Sequence, residues 1–299
     1  MSAALHRTAF RAMGGDNELL LAGGDALDAT ARTAIDDVLR IERKYSRYRD
    51  DSVTAAINRA AGGAAVAIDA ETAALLGYAE TCFAQSCGRF DLTAGVLRTV
   101  WDFNRSPPQR PDAAALRDAL SRIGWEGVEW DAMQVRLPRA GMQLDFGGIG
   151  KEYAADRVAA IAIDRGVRHG CVNLGGDVRV WGGRPDGSAW RIGIRHPRAP
   201  GAAMAGVDLS DGAVATSGDY ERFVDIDGRR YCHIIDARTG EPVSAWRSVS
   251  VVAPLAVVAG SHATIAMLLA HDAPAFLDRA TFDWLGVDAT GELHGTLSR

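Results

Sequence analysis

The chain has 299 residues, 47% of them hydrophobic and 24% charged, which is enough to build a proper core and excludes disordered or fibrous classes. A net charge of −5 gives no bulk attraction to nucleic acid or anionic lipid, and no apolar run is long enough to span a bilayer. The N-terminus lacks an apolar signal core, and Cys82, Cys87, Cys171 and Cys232 form no CxxC pair. The expected setting is therefore cytoplasmic and reducing, without a zinc site. Lys44 and Lys151 are the only lysines among many arginines, so a lysine inside a glycine-rich stretch stands out.

In chain order, Ile35, Val38, Leu39 and Ile41 recur at helical spacing and predict a helix from about 29 to 45. Leu75, Leu76, Ala79, Cys82 and Phe83 predict a second helix over about 71–86. Pro111 and Asp112 open a third, with Leu116, Leu120 and Ile123 as its stripe. Beyond Trp125 short β-type runs take over: 135–137, 142–145, 171–174, 178–181 and 190–194. Asp227-Gly228 predicts a hairpin between 223–226 and 230–235. A strand at 249–253 precedes a helix at about 257–269, and a last hairpin closes near Thr290-Gly291. With no repeat or low-complexity linker, the reading is one domain over 1–299. Its class is α+β, with a helical N-terminal half and a β-rich C-terminal half.

The densest chemical signal is Asp145-Phe146-Gly147-Gly148-Ile149-Gly150-Lys151-Glu152-Tyr153, running from a strand into a helix. Free N–H groups at a helix start hold phosphate oxygens, and a lysine there adds charge. It is not a Walker A loop, because Asp145 stands at the first glycine position and Glu152 replaces the Ser/Thr. Nor is it a dinucleotide fingerprint, because Tyr153 holds the third glycine position. A plain tight turn is the competing explanation. Three further polar clusters follow: Asn173 to Asp177, Ala215 to Arg222, and His233 to Gly240. Each alone could be a turn.

Taken in order, these segments resemble the ApbE-type flavin transferases, also called FAD:protein FMN transferases. The resemblance runs from Met13 to Thr264. It is carried by Met13-Gly14, Ser46-Arg47-Tyr48 with Asp51-Ser52 and Asn58, Phe90-Asp91-Leu92-Thr93, and the four clusters above. It implies FAD as substrate, Mg²⁺, and a partner protein that accepts FMN on a Thr or Ser hydroxyl. By the same resemblance Tyr48 packs on the flavin ring beside Met13. Phe90 and Asp91 line the adenosine side, Asp145 and Lys151 contact FAD, and Ile235 offers a backbone contact. Gly148, through its carbonyl, and Thr264 hold the metal, and His233 is the general base. A neutral imidazole suits that task, and an Mg²⁺-bridged pyrophosphate is the substrate form it would act on.

One position departs from the family. A metal carboxylate is expected on the last long helix one turn before Thr264, where both oxygens would face one ion. Here that position is Gly260, Ala263 offers nothing, and Ser261 and His262 are rotated off that face. The metal is then expected to bind weakly, through water or not at all, unless another acidic residue, Asp145 or Asp177, holds it instead. Two other functions therefore compete with FMN transfer: FAD binding without transfer, and FAD pyrophosphatase activity that releases FMN and AMP. A purely structural module leaves the ordered motifs unexplained.

Overall fold

A computed structural model describes residues 4–298. The chain opens with β1 (His6–Ala12) and β2 (Gly15–Ala22), then α1 (Leu27–Tyr45), α2 (Val53–Arg59), β3 (Val66–Ala67) and α3 (Ala70–Gln85). It continues through α4 (Ala113–Ser121), β4 (Glu129–Trp130), β5 (Gln134–Arg136), α5 (Gly150–Asp164), β6 (His169–Leu174) and β7 (Asp177–Trp181). Next come β8 (Trp190–Arg195), β9 (Ala203–Leu209), β10 (Gly212–Gly218), β11 (Phe223–Ile226), β12 (Arg229–Cys232) and β13 (Trp246–Ala253). The chain closes with α6 (Ala256–Leu269), α7 (Ala273–Ala280), β14 (Asp283–Asp288) and β15 (Leu293–His294).

An eight-stranded antiparallel sheet, in the order β1-β2-β6-β7-β10-β13-β14-β15, forms the middle layer. Period-two alternation gives it two buried faces. Val172, Leu174, Ala213, Ala215, Val249 and Val251 point to one side and share a core with α1, α5 and α6. Cys171, Val178, Val180 and Val214 point to the other, where the β8–β9 ribbon covers them with Trp190, Ile194 and Val207. Asp156, on α5, accepts hydrogen bonds from the backbone N–H groups of Ala256 (2.8 Å) and Val257 (2.9 Å). This carboxylate caps α6 and fixes its register against α5.

The α+β class agrees with the sequence reading, and the helices open close to where they were expected. The β1–β2 hairpin is new. Its turn, Met13-Gly14, has φ of 55° and 78°, the same left-handed pair as Asp227-Gly228 at 49° and 77°. Asp-Gly announces such a turn in sequence; Met-Gly does not, because a methionine is rarely left-handed. In the second half, α5 and α6 stand where the sequence placed helices, after the glycine loop and at about 257–269, and only α7 was not foreseen there. The strand expected at 142–145 forms no ladder beyond a single bridge between Ala94 and Gln143. Instead the Asn58 side chain binds both backbone groups of Leu144, accepting from its N–H at 2.7 Å and donating to its carbonyl at 3.0 Å. One amide side chain thus does the work of a partner strand.

Candidate active site

The expected motifs meet at one end of the sheet. The β1–β2 turn, the Gly175-Gly176 turn between β6 and β7, the end of β10 and the start of α5 all lie there. Asp145 holds the glycine loop in shape: one carboxylate oxygen accepts from Gly147 N at 2.8 Å, and the other from Arg47 at 2.9 Å. Its own N–H donates to the Leu92 carbonyl at 2.9 Å, tying the Phe90–Thr93 loop to the same place. Arg47 in turn lies 5.9 Å from the centroid of the Tyr48 ring, and Tyr48 is 78% exposed. A large aromatic left uncovered beside fixed polar groups is a ready stacking surface. Met13, half-buried in the strained β1–β2 turn, packs against the main core. Gly14 brings that turn against Arg222, whose guanidinium is 4.0 Å from where a Cβ would stand.

At the start of α5 the N-cap residue Ile149 gives no side-chain acceptor, so the first turn keeps donors for a ligand. Lys151 projects from that turn to within 2.7 Å of an oxygen of buried Asp177. Burial opposes its charge, but Asp177 and Glu152 outweigh burial and hold the ammonium above the usual lysine range.

His233 stands among cations. Burial is the first cause of its lowered pKa, about 4, and Arg98, Arg222 and Lys151 push the same way. Its Nδ1 lies 3.2 Å from the Arg222 carbonyl. With the proton on Nδ1 donated there, Nε2 keeps its lone pair. Arg98 is itself pushed down, first by burial and then by Arg47 and Arg222, while Asp145 and Tyr48 act against the shift. Among the described residues neither Arg98 nor Arg222 has a carboxylate partner. Two neighbouring arginines without an ion-pair partner form a site for an anion.

Other expected residues sit less directly. Phe90 is buried, and its ring edge comes 3.0 Å from where a Cβ on Gly148 would stand, so a side chain there would press on that ring. The Asp91 carboxylate is committed to its own loop, accepting from Thr93 N, the Thr93 hydroxyl and Trp125 N. Ile235 bridges to Pro242 through its backbone. Thr264, near the far end of α6, shares a 2.7 Å hydrogen bond with Ser217 of β10. His262 bonds to Val258 O and stacks on Phe276, turned away as its helical position requires. Beside Gly260 lies the carboxylate of Glu152. It comes from α5, one turn before the capping Asp156.

A family model described as the ApbE family matches residues 13–284. The chain belongs to the ApbE family. It is 35% identical over 282 residues to the FAD:protein FMN transferase of Treponema pallidum, covering 87% of this chain and 77% of that one. The corresponding protein of Klebsiella pneumoniae is 29% identical, covering 83% and 72%. Among solved structures, the ApbE protein of Thermotoga maritima superposes with a TM-score of 0.91 at 30% identity, covering 98% of this chain and 97% of that one. The flavinyl transferase ApbE of Pseudomonas stutzeri gives 0.89 at 26% identity, covering 99% and 96%. Within this ApbE fold, three residues escaped sequence reasoning: Arg98, Arg222 and Glu152. Arg222 and Glu152 lay inside quoted motifs, but nothing in their spacing shows that Arg222 reaches His233 or that Glu152 faces α6. No helix among the described residues is long and apolar enough to cross a membrane.

Proposed function

We propose that this chain, acting as a single FAD-binding domain over 1–299, transfers the FMN part of FAD to a Thr or Ser hydroxyl of a partner protein. The observation that carries this reading is that His233 is tied to Arg222, donating its backbone N–H to that residue's carbonyl at 2.9 Å, with Arg98 and Lys151 adding positive charge around the ring. A pyrophosphate suits such a cluster, and the function named for the relatives requires one to be cleaved. Tyr48 and Met13 border the flavin ring, Phe90 and Asp91 the adenosine side, and Asp145, Lys151 and the Ile235 backbone lie between. The Gly148 carbonyl and the Thr264 hydroxyl are hard oxygen donors, which suit Mg²⁺. When bound, that ion would neutralise pyrophosphate charge.

His233 takes the acceptor hydroxyl proton on Nε2. The hydroxyl oxygen bonds to the phosphorus of the FMN half, the bond from that phosphorus to the bridging oxygen breaks, and AMP leaves with the electron pair. Lys151 and the two arginines hold the charge that develops on it. The test is His233→Ala, assayed with FAD, Mg²⁺ and protein fractions of the source cells on denaturing gels. We expect FAD affinity to stay within a few-fold and covalent flavin formation to fall by about 10²–10⁴. Transfer at the wild-type rate by this variant would remove the proposed base.

A further inference from the structure

Gly260 is the position at which this chain lacks an acidic side chain on α6, and the structure shows what fills the space. A Cβ built on Gly260 would meet three atoms of Glu152 first: Cγ at 2.5 Å, Oε1 at 2.9 Å and Cδ at 3.0 Å. The register that brings them together is fixed by Asp156, which caps α6 at Ala256 and Val257. Glu152 lies one turn back on α5, Gly260 one turn on along α6, and the two helices run antiparallel, so the same faces meet again. Thr264 follows Gly260 by one further turn on that face.

The Glu152 carboxylate has no charge partner of its own. The residue is only 7% exposed, and its Oε2 is buried without a hydrogen-bond partner. Lys151, the nearby cation, is drawn to Asp177 at 2.7 Å, and Asp177 Oδ2 itself lacks an aligned hydrogen bond. Two buried carboxylates thus share one ammonium. A buried anion left in that state is costly unless a cation or a proton joins it.

We infer that Glu152 is the carboxylate ligand of the divalent cation in this chain, reaching from α5 into the space an acidic side chain on α6 would otherwise occupy. The inference rests on the FMN-transfer reading for the presence of a metal, but not for its test. Only Glu152, and neither Asp145 nor Asp177, occupies the Gly260 position. Asp145 is held by Arg47 and Gly147, and Asp177 by Lys151.

The probe is Mn²⁺, an oxygen-seeking stand-in for Mg²⁺ that is read by electron paramagnetic resonance, titrated into the full chain with FAD present and without added acceptor. We expect one bound ion in the wild type. Glu152→Gln, which keeps the shape and removes the charge, should weaken Mn²⁺ binding by at least about tenfold, with FAD affinity in chelator unchanged. The double variant Glu152→Ala with Gly260→Asp, which moves the carboxylate to α6, should bind Mn²⁺ more tightly than Glu152→Ala alone. Wild-type affinity in Glu152→Gln overturns the inference, as does a wild type that binds no Mn²⁺, or a double variant no better than the single one. Metal binding that follows this pattern without any covalent flavin on a protein would instead sink the transfer reading and leave Glu152 as a ligand.

Discussion

Replacing Gly260 by Ala tests whether Glu152 occupies the space beside α6, without any appeal to catalysis. In a helix interior the change alone stabilises by about 1 kcal/mol, because glycine has more backbone freedom to lose. Here the new Cβ would stand 2.5 Å from Glu152 Cγ, whereas carbons in contact sit about 3.5–4.0 Å apart. Both residues are buried, so the Glu152 side chain cannot simply swing into water. Overpacking of this kind costs about 1–3 kcal/mol. The net effect in the wild type should be a loss of about 0–2 kcal/mol. In a Glu152→Ala background the three nearest atoms are gone, and the same substitution should stabilise by up to about 1 kcal/mol. The coupling is therefore about 1–3 kcal/mol, in the range seen for residues in contact. Urea unfolding of the four proteins in chelator measures it. Equal stabilisation by Gly260→Ala in both backgrounds would show that Glu152 does not lie against position 260.

Other outcomes follow from the same geometry. Tyr48→Ala should weaken FAD binding by about 5–150-fold, the equivalent of about 1–3 kcal/mol of stacking, and an unchanged dissociation constant by calorimetry would place the flavin elsewhere. Asp156→Ala should lower stability by about 1–2 kcal/mol in urea through loss of the α6 cap, and an effect below about 0.3 kcal/mol would deny that role. His233 has a pKa lowered to about 4 in the free protein, so it stays a neutral base down to that pH and is lost below it. Bound pyrophosphate charge favours the imidazolium, so the acid limb of kcat should lie at higher pH than that of kcat/KM. Coincident limbs, or the reverse order, would argue against His233 beside the phosphates.

Much of the fold could be read from the sequence because strong periodicity and turn chemistry agree. The α1 stripe packs into the main core, the α3 stripe joins that core from the side of α6, and Asp227-Gly228 makes the turn its residues favour. The β1–β2 hairpin escaped because β1 is an edge strand carrying Arg7 and Arg11, with only Ala12 fully buried, and its turn uses a methionine against preference. Residues 142–145 look like a strand, yet they pair with the Asn58 side chain, a contact between positions far apart in the chain. At the site, the glycine loop and His233 were visible as clusters of residue types. The unpaired arginines and the Glu152–Gly260 contact were not, because both depend on which faces of distant elements meet. Gly260 looked like a missing ligand in one dimension and is an occupied space in three.

The most direct measurement of the central claim is mass spectrometry of proteins from the source cells after incubation with this chain, FAD and Mg²⁺. Transfer predicts a protein that gains the mass of FMN less one water, on a Thr or Ser, with one AMP released for each flavin attached. Conversion of FAD to free FMN and AMP with every protein unmodified, or FAD recovered intact, would contradict it.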